Sequence, residues 1–315
     1  MQTDMHFYGT YVLARAAGIP QHDSNTIAYS AQFVDDSTKS DSTRHSDGGL
    51  LYGIASAHHD KEAIINSKAD PDEQRRVWVP FHFLPGGQGE SLEEKLLCVK
   101  DSEISQEMMS HHIRAAKDKR FGFELLGIAA HVYMDTFSHY GFSGIGSKYN
   151  SVDGESFELI DVKDPKMKQY VLDKKGAFLS KYGLRATASF FVETLTNTLG
   201  HGGVATYPDR PFLHWRVTFD EPRPGNGKVS DRDNPATFLE GCEKLHSYFT
   251  KFANEYYTES KGVEFSAIRS RVEQILRFEG DKADRISQWK NAIGTNSIYP
   301  ASCCATSLLC VERVV

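Results

Sequence analysis

Residues 127–144 read GIAAHVYMDTFSHYGFSG and set His131, Asp135 and His139 at a repeat of four among small and apolar neighbours. Each residue of an α-helix turns about 100°, so the three share one face, within about 80° of one another. The two imidazoles stand about 12 Å apart along the axis, too far to share an ion, with the carboxylate between them. A carboxylate so placed can bridge two cations, each also held by one imidazole; ions in two-metal hydrolytic sites lie about 3.5–4 Å apart. Gly127, Ala129, Ala130, Val132 and Phe137 predict a buried helix, and buried charge needs a partner. The spacing predicts a metal site.

Ligands of the same kind recur along the chain. Asp4 and His6 stand at the mouth of the first helix, Asp35 and Asp36 close QFVDD, and SAHHDK supplies His58, His59 and Asp60. His82 sits in VPFHFLPG, and TLGHGGVATYPDRPFLHW carries His201, Asp209 and His214. Singly, each has a plainer reading. Asp35 and Asp36 suit a loop cap, His82 a satisfied core histidine, and His58 with His59 a solvated surface pair. Together they ask the fold to gather them around the 131–139 helix. Imidazole and carboxylate without thiolate suit zinc, manganese or iron, zinc being favoured for hydrolysis.

The elements that must do the gathering read as helices. Residues 5–18 have helical spacing ended by Gly18 and Pro20, and a second helix runs from Asp23 or Ser24 to Asp35 or Asp36. Residues 37–50 read as a loop, 77–84 as an extended segment broken by Pro80, and about 91–99 as a short helix. Further helices are predicted at 103–117, 121–140, 165–181, 185–200, 236–258 and 262–292. The stretch 202–235, rich in Gly, Pro and Asp, reads as a long ordered loop carrying aromatics. The expected architecture is an all-α bundle: one helical domain over 1–292 with long ordered loops, then a tail over 293–315.

Composition narrows the classes. The 315 residues are 40% hydrophobic and 25% charged, which is globular and long enough for a core without disulfides. A formal charge of −6 disfavours a general nucleic-acid or anionic-membrane binder. The 5 cysteines, three of them at 303, 304 and 310, set no disulfide framework and favour a reducing compartment. No signal peptide or membrane span is evident, so the expected location is the cytoplasm, or outside the cell by a route without a classical signal peptide. The Cys-rich tail reads as a frayed terminus, or else a partner or acylation segment.

His6 with IAYSAQFVDD, H-x3-D-x3-H on an apolar helix and a downstream histidine resemble the zinc-dependent phospholipase C and P1 nuclease superfamily. FHFLPG, DTFSHYGFSG and LGHGGVATYPDRP place the chain closest to an uncharacterised bacterial branch of it. The resemblance spans about residues 4–216 and implies a helical fold holding two or three zinc ions in a cleft. It assigns His131, Asp135 and His139 to the central ligand helix, His6 to the early histidine and Asp35 or Asp36 to the early aspartate. It assigns His82 or His58 to the next histidine and His201 to the late one. The superfamily's N-terminal ligand falls to Asp4. The acid that follows the late histidine, where this chain has Ala205, falls to Asp209.

The implied activity is that of a phosphoesterase acting on a phospholipid headgroup ester, with Asp35 or Asp36 orienting or deprotonating the attacking water. Phe81, Phe83, Phe142 and Tyr207 are expected to line the cleft. The alternatives are a nuclease, an HD-type nucleotide phosphohydrolase built on His59 and Asp60, or a helical metalloprotein without catalysis, whose sites would be closed by four protein ligands.

Overall fold

A computed structural model describes residues 1–58, 71–117, 119–181, 199–258 and 262–294. The chain opens on a π-helical turn, Asp4–Gly9, that runs into α1, Thr10–Ala16. Gly18 then takes a φ of 94°, the left-handed conformation that ends helices cheaply only at glycine, and Pro20 precedes α2, Gln21–Asp36. A small antiparallel hairpin follows, β1 at Ser42–Arg44 and β2 at Leu50–Tyr52.

Residues 71–81 are helical, not extended: Pro71–Glu73 leads through the π-helical Gln74–Trp78 into Val79–Phe81. Pro80 is tolerated because it stands in the first turn of the last segment, where a missing N–H costs least. The short α3, Leu92–Lys95, is fixed by a capping box between Ser91 and Glu94. Next come α4, Glu103–Ala116, and α5, Gly122–His139, the helix that carries the three spaced ligands.

The second half departs from the all-α expectation. β3, Val152–Leu159, and α6, Pro165–Lys181, precede β4, His214–Arg223, and β5, Gly227–Asp233. The three strands form one antiparallel sheet in the order β3-β4-β5, with Trp215 opposite both Leu159 and Arg232. The fold is therefore mixed α/β. The alternation of buried Trp215, Val217 and Phe219 with outward-facing Arg216 is the strand signal that the surrounding Gly, Pro and Asp obscured. The chain returns to helix in α7, Asn234–Tyr256, then α8, Phe265–Leu276, and α9, Lys282–Gly294, two helices where one run was expected. His59, Asp60, nearly all of the tail and all but Leu199 and Gly200 of the helix expected at 185–200 lie outside the described residues; Leu199 forms a β-bridge with Gly146 instead of a helix end.

Two apolar cores flank α5. One packs Leu13, Leu126, Tyr133, Phe137, Phe249 and Val272 from the helical elements. The other packs Phe83, Phe142, Tyr207, Trp215 and Phe219 against the inner face of the sheet. Gly127 sets how closely α2 approaches α5, since a Cβ there would stand 2.3 Å from the Ile27 carbonyl oxygen. Among the described residues no helix is long and apolar enough to cross a membrane.

Candidate metal centre

Three sets of side chains converge on α5. Ligand atoms lie within 4.8 Å of one another in His6, Asp35 and His131, in His82, His131 and Asp135, and in His139, His201 and Asp209. Their backbones come from the first helical turn, α2, the 71–81 helical run, α5 and the loop before β4. The sequence spreads them over 204 positions, from residue 6 to residue 209.

Four of the imidazoles are oriented by backbone carbonyls. A carbonyl can only accept, so the ring nitrogen facing it must donate. His131 Nδ1 donates to Ala31 at 2.8 Å, His82 Nε2 to Ser56 at 2.7 Å, His139 Nδ1 to His82 at 2.7 Å, and His201 Nδ1 to Ala205 at 2.6 Å. The other nitrogen of each ring then points into the cluster. That is the arrangement by which outer-shell partners fix a metal-ligating histidine. His6 is 1% exposed, and among the described residues neither of its ring nitrogens meets a partner in good hydrogen-bond geometry, the Asp135 carboxylate standing 3.2 Å from Nε2. It stacks on His131 with centroids 3.8 Å apart.

Ring nitrogens face carboxylate oxygens across the cluster. Asp135 Oδ2 lies 3.2 Å from His82 Nδ1 and 3.3 Å from His131 Nε2, while its Oδ1 lies 3.2 Å from His6 Nε2. His131 Nε2 and His82 Nδ1 are 3.4 Å apart. Asp209 Oδ1 lies 2.9 Å from His139 Nε2, and its Oδ2 lies 3.5 Å from His201 Nε2. A ring whose carbonyl-facing nitrogen carries its proton can present the other nitrogen as a lone pair, and the donor set of imidazole nitrogen and carboxylate oxygen fits a divalent transition metal. These buried His and Asp groups could hold metal ions.

The charge states agree. Burial pushes the His6 imidazole down to about 4, helped by His131 and the Met1 ammonium, and burial likewise lowers His201 to about 4 against the pull of Asp209. Burial alone would raise the Asp135 carboxyl, yet His139, the Met1 ammonium, His131 and His6 together hold it well below its usual range. Asp209 and Asp35 are lowered in the same way, burial being outweighed by neighbouring positive groups. Ionised carboxylates beside the neutral His6 and His201 imidazoles are in the state that binds cations.

The expected residues separate into members and outsiders. His6, Asp35, His82, His131, Asp135, His139, His201 and Asp209 belong to the cluster. Asp4 does not: it is buried against Arg285, with Oδ2 2.7 Å from Nε. Asp36 faces solvent and accepts from Gln32 Nε2 at 3.0 Å, because adjacent helical residues point about 100° apart. His58 pairs with Glu73 at 2.9 Å and His214 with Asp231 at 2.7 Å, both outside the three sets. The free nitrogen of His139 faces Asp209 rather than Asp135, so Asp135 links other partners than helical spacing alone implied. Phe83, Phe142 and Tyr207 are core residues, not a cleft lining.

One group has no signature in the sequence. The α-amino nitrogen of Met1 lies 2.6 Å from Asp135 Oδ1 and 3.2 Å from Asp209 Oδ1, and although burial opposes its charge, Asp135 and Asp209 raise its pKa to about 11. A backbone amine carries no residue type to search for. The centre is not sealed on every side. The side chains of Asp35 and His201 remain 20% and 19% exposed, against 1% for Asp135.

Comparison with known proteins adds a family. A family model described as "Family of unknown function (DUF6765)" matches residues 1–307, a span that contains every ligand above. No curated protein and no solved structure matches the chain.

Proposed function

The chain belongs to the DUF6765 family, and for this member we propose a zinc-dependent phosphoesterase that cleaves a phospholipid headgroup ester in the manner of phospholipase C. The observation that carries the reading is the set of four histidines, each donating one nitrogen to a backbone carbonyl and turning the other toward a buried carboxylate, Asp135 for His82 and His131 and Asp209 for His139 and His201. Zinc is favoured over manganese and iron by the hydrolytic chemistry proposed. The likeness of His6, Asp35, His131, Asp135, His139 and His201 to the phospholipase C and P1 nuclease superfamily supports the substrate class.

Bound zinc would polarise a phosphoryl oxygen and acidify a water. The chain does the rest. Asp135 and Asp209 supply fixed negative charge at the buried side of the centre, and the backbone-anchored imidazoles hold their geometry without reorganisation. Asp35 is the cluster carboxylate open to solvent, and its carboxyl is held ionised. It can therefore accept a hydrogen bond from the attacking water, orient it in line with the phosphorus, and take up its proton. A structural metalloprotein would close its ligands around the ions, whereas the exposure at Asp35 and His201 favours access. The formal charge of −6 disfavours the nuclease reading.

Metal analysis of the purified protein tests the first half of the proposal, with at least two equivalents of zinc expected. Hydrolysis assays on phospholipids, single-stranded nucleic acid and nucleotides test the second, with phospholipid headgroup release expected. Trace metal in folded protein never exposed to chelator would refute the reading, and turnover of nucleic acid alone would replace the substrate.

A further inference from the structure

The three-stranded sheet, absent from the all-α expectation, ends at the metal centre. Arg232 stands at the end of β5 and Asn234 begins α7, and both are buried, at 0% and 2% exposure. Arg232 Nη2 donates to the Ser138 carbonyl at 2.7 Å and Nη1 to the Tyr140 carbonyl at 3.0 Å. Those two carbonyls bracket His139. The bonds also meet the carbonyl end of α5, where the helix dipole favours a cation. Asn234 Nδ2 donates to the carbonyls of Tyr207 and Arg210, each at 2.8 Å, and these bracket Asp209.

The Asn234 amide is oriented in turn by Trp215 Nε1, which donates to its Oδ1 at 3.3 Å. Ser138 Oγ closes the frame by donating to Asp209 Oδ1 at 3.1 Å. Arg232 forms no ion pair among the described residues, and its Nε has no partner. Its guanidinium lies 3.7 Å from the centre of the Tyr140 ring and 5.3 Å from that of Trp215. A charge buried without a direct ion pair is costly, and the carbonyls around His139 and the surrounding rings help to offset it.

We propose that Arg232 and Asn234 are positioning residues for the metal set His139, His201 and Asp209. Two side chains, two residues apart where β5 passes into α7, fix the backbone on both sides of a histidine from α5 and of an aspartate from a loop. They thereby set the 2.9 Å separation of His139 Nε2 and Asp209 Oδ1. The inference rests on the metal reading above but concerns residues that touch none of the ligand atoms. Its chemical consequence is local. The His6 and His82 sets are held by α2 and by the 71–81 helical run, and should not depend on β5.

The test compares the full-length protein with Asn234→Asp, Arg232→Lys and Arg232→Met. The aspartate keeps the shape of Asn234 but cannot donate to two carbonyls, and an ammonium cannot span the pair that a guanidinium does. Zinc is titrated against a competing chelator in each. The expected result is a loss of about 10–100-fold in affinity for one ion, the usual scale for outer-shell changes, with the remaining ions unchanged. In metal-free protein, imidazole NMR signals of His139 and His201 should move while those of His6, His82 and His131 stay. Unchanged affinity in the variants, or equal weakening of every ion with all five imidazoles shifted, overturns the proposal. Should Arg232→Met not fold, Asn234→Asp and Arg232→Lys decide it. Wild-type protein that binds no zinc refutes the metal reading, and the imidazole signals of the metal-free protein still decide the positioning role.

Discussion

Arg285 Nε lies 2.7 Å from Asp4 Oδ2, with both side chains buried although 281 residues separate them in sequence. The same guanidinium donates to Gln2 Oε1 at 2.5 Å and to the Gly280 carbonyl at 2.8 Å. α9 thus anchors the helical turn that delivers His6 to the cluster. Arg285→Met leaves a buried carboxylate unpaired and should cost about 3–5 kcal/mol. The double change Arg285→Met with Asp4→Leu should recover most of that loss, because an apolar pair replaces both charges. Thermal unfolding of the two variants checks this, and a double variant no more stable than the single one would contradict it.

Asp35 and Asp36 are neighbours with different surroundings, the first in the His/Asp cluster and the second in solvent. Asp35→Asn should reduce phosphoester hydrolysis by roughly 10²–10⁴-fold, the range for a lost general base. Asp36→Asn removes only an exposed contact with Gln32 and should stay close to wild type. Equal losses in the two variants would mean that neither carboxylate acts in the manner proposed.

Asp135→Asn should keep the helix and lose metal from more than one set. The amide is nearly isosteric, yet both carboxylate oxygens are engaged, Oδ2 with His82 and His131 and Oδ1 with His6. His131→Ala should release more metal than His139→Ala, because His131 belongs to two of the three sets and His139 to one. Circular dichroism and metal analysis make the comparison. A fully metallated Asp135→Asn would remove the carboxylate from the centre.

The contact of α2 with α5 runs through Gly127. A methyl group there would meet the Ile27 carbonyl oxygen at 2.3 Å and the Ser30 Cβ at 2.8 Å. Gly127→Ala should therefore push the helices apart and destabilise the fold by about 1–3 kcal/mol, the range for overpacking. It should also lengthen the bond from His131 Nδ1 to the Ala31 carbonyl and lower metal affinity. Unfolding in urea and zinc titration would show both, and a variant as stable as wild type would argue that α2 yields without consequence.

Acid should weaken the metal-free protein over a definite window. His6 and His201 are lowered to about 4 by burial, against about 6.5 for a free imidazole. Between those values the unfolded chain binds more protons, so this contribution to stability is complete above about 6.5 and is lost as pH falls toward 4. His82, whose pKa is raised by hydrogen bonding and attraction to Asp135 despite burial, acts in the opposite sense. The urea midpoint of chelator-treated protein should fall between pH 7 and pH 4.5. A midpoint that rises on acidification would show that the two imidazoles are not buried as neutral groups.

Sequence alone determined the part of the centre that depends on local geometry. Helical spacing is a property of the backbone, so His131, Asp135 and His139 had to share a face once their apolar neighbours committed the segment to a helix. Residue chemistry marked His6, His82, His201 and Asp209 as ligands without saying which would meet. The pairings were decided by tertiary structure. Asp35 rather than Asp36 enters the cluster because α2 packs on α5 with Asp35 beside His131 and Asp36 toward solvent, which no local rule contains. Asp4, equally acidic and two residues from His6, is drawn instead to an arginine from the far end of the chain. The sheet escaped notice because β4 and β5 sit among turn-forming residues, and its three strands hold together through partners distant in sequence. Arg232 and Asn234 have no local signature at all: their place beside the centre exists only where the junction of β5 and α7 meets the end of α5 and the loop before β4.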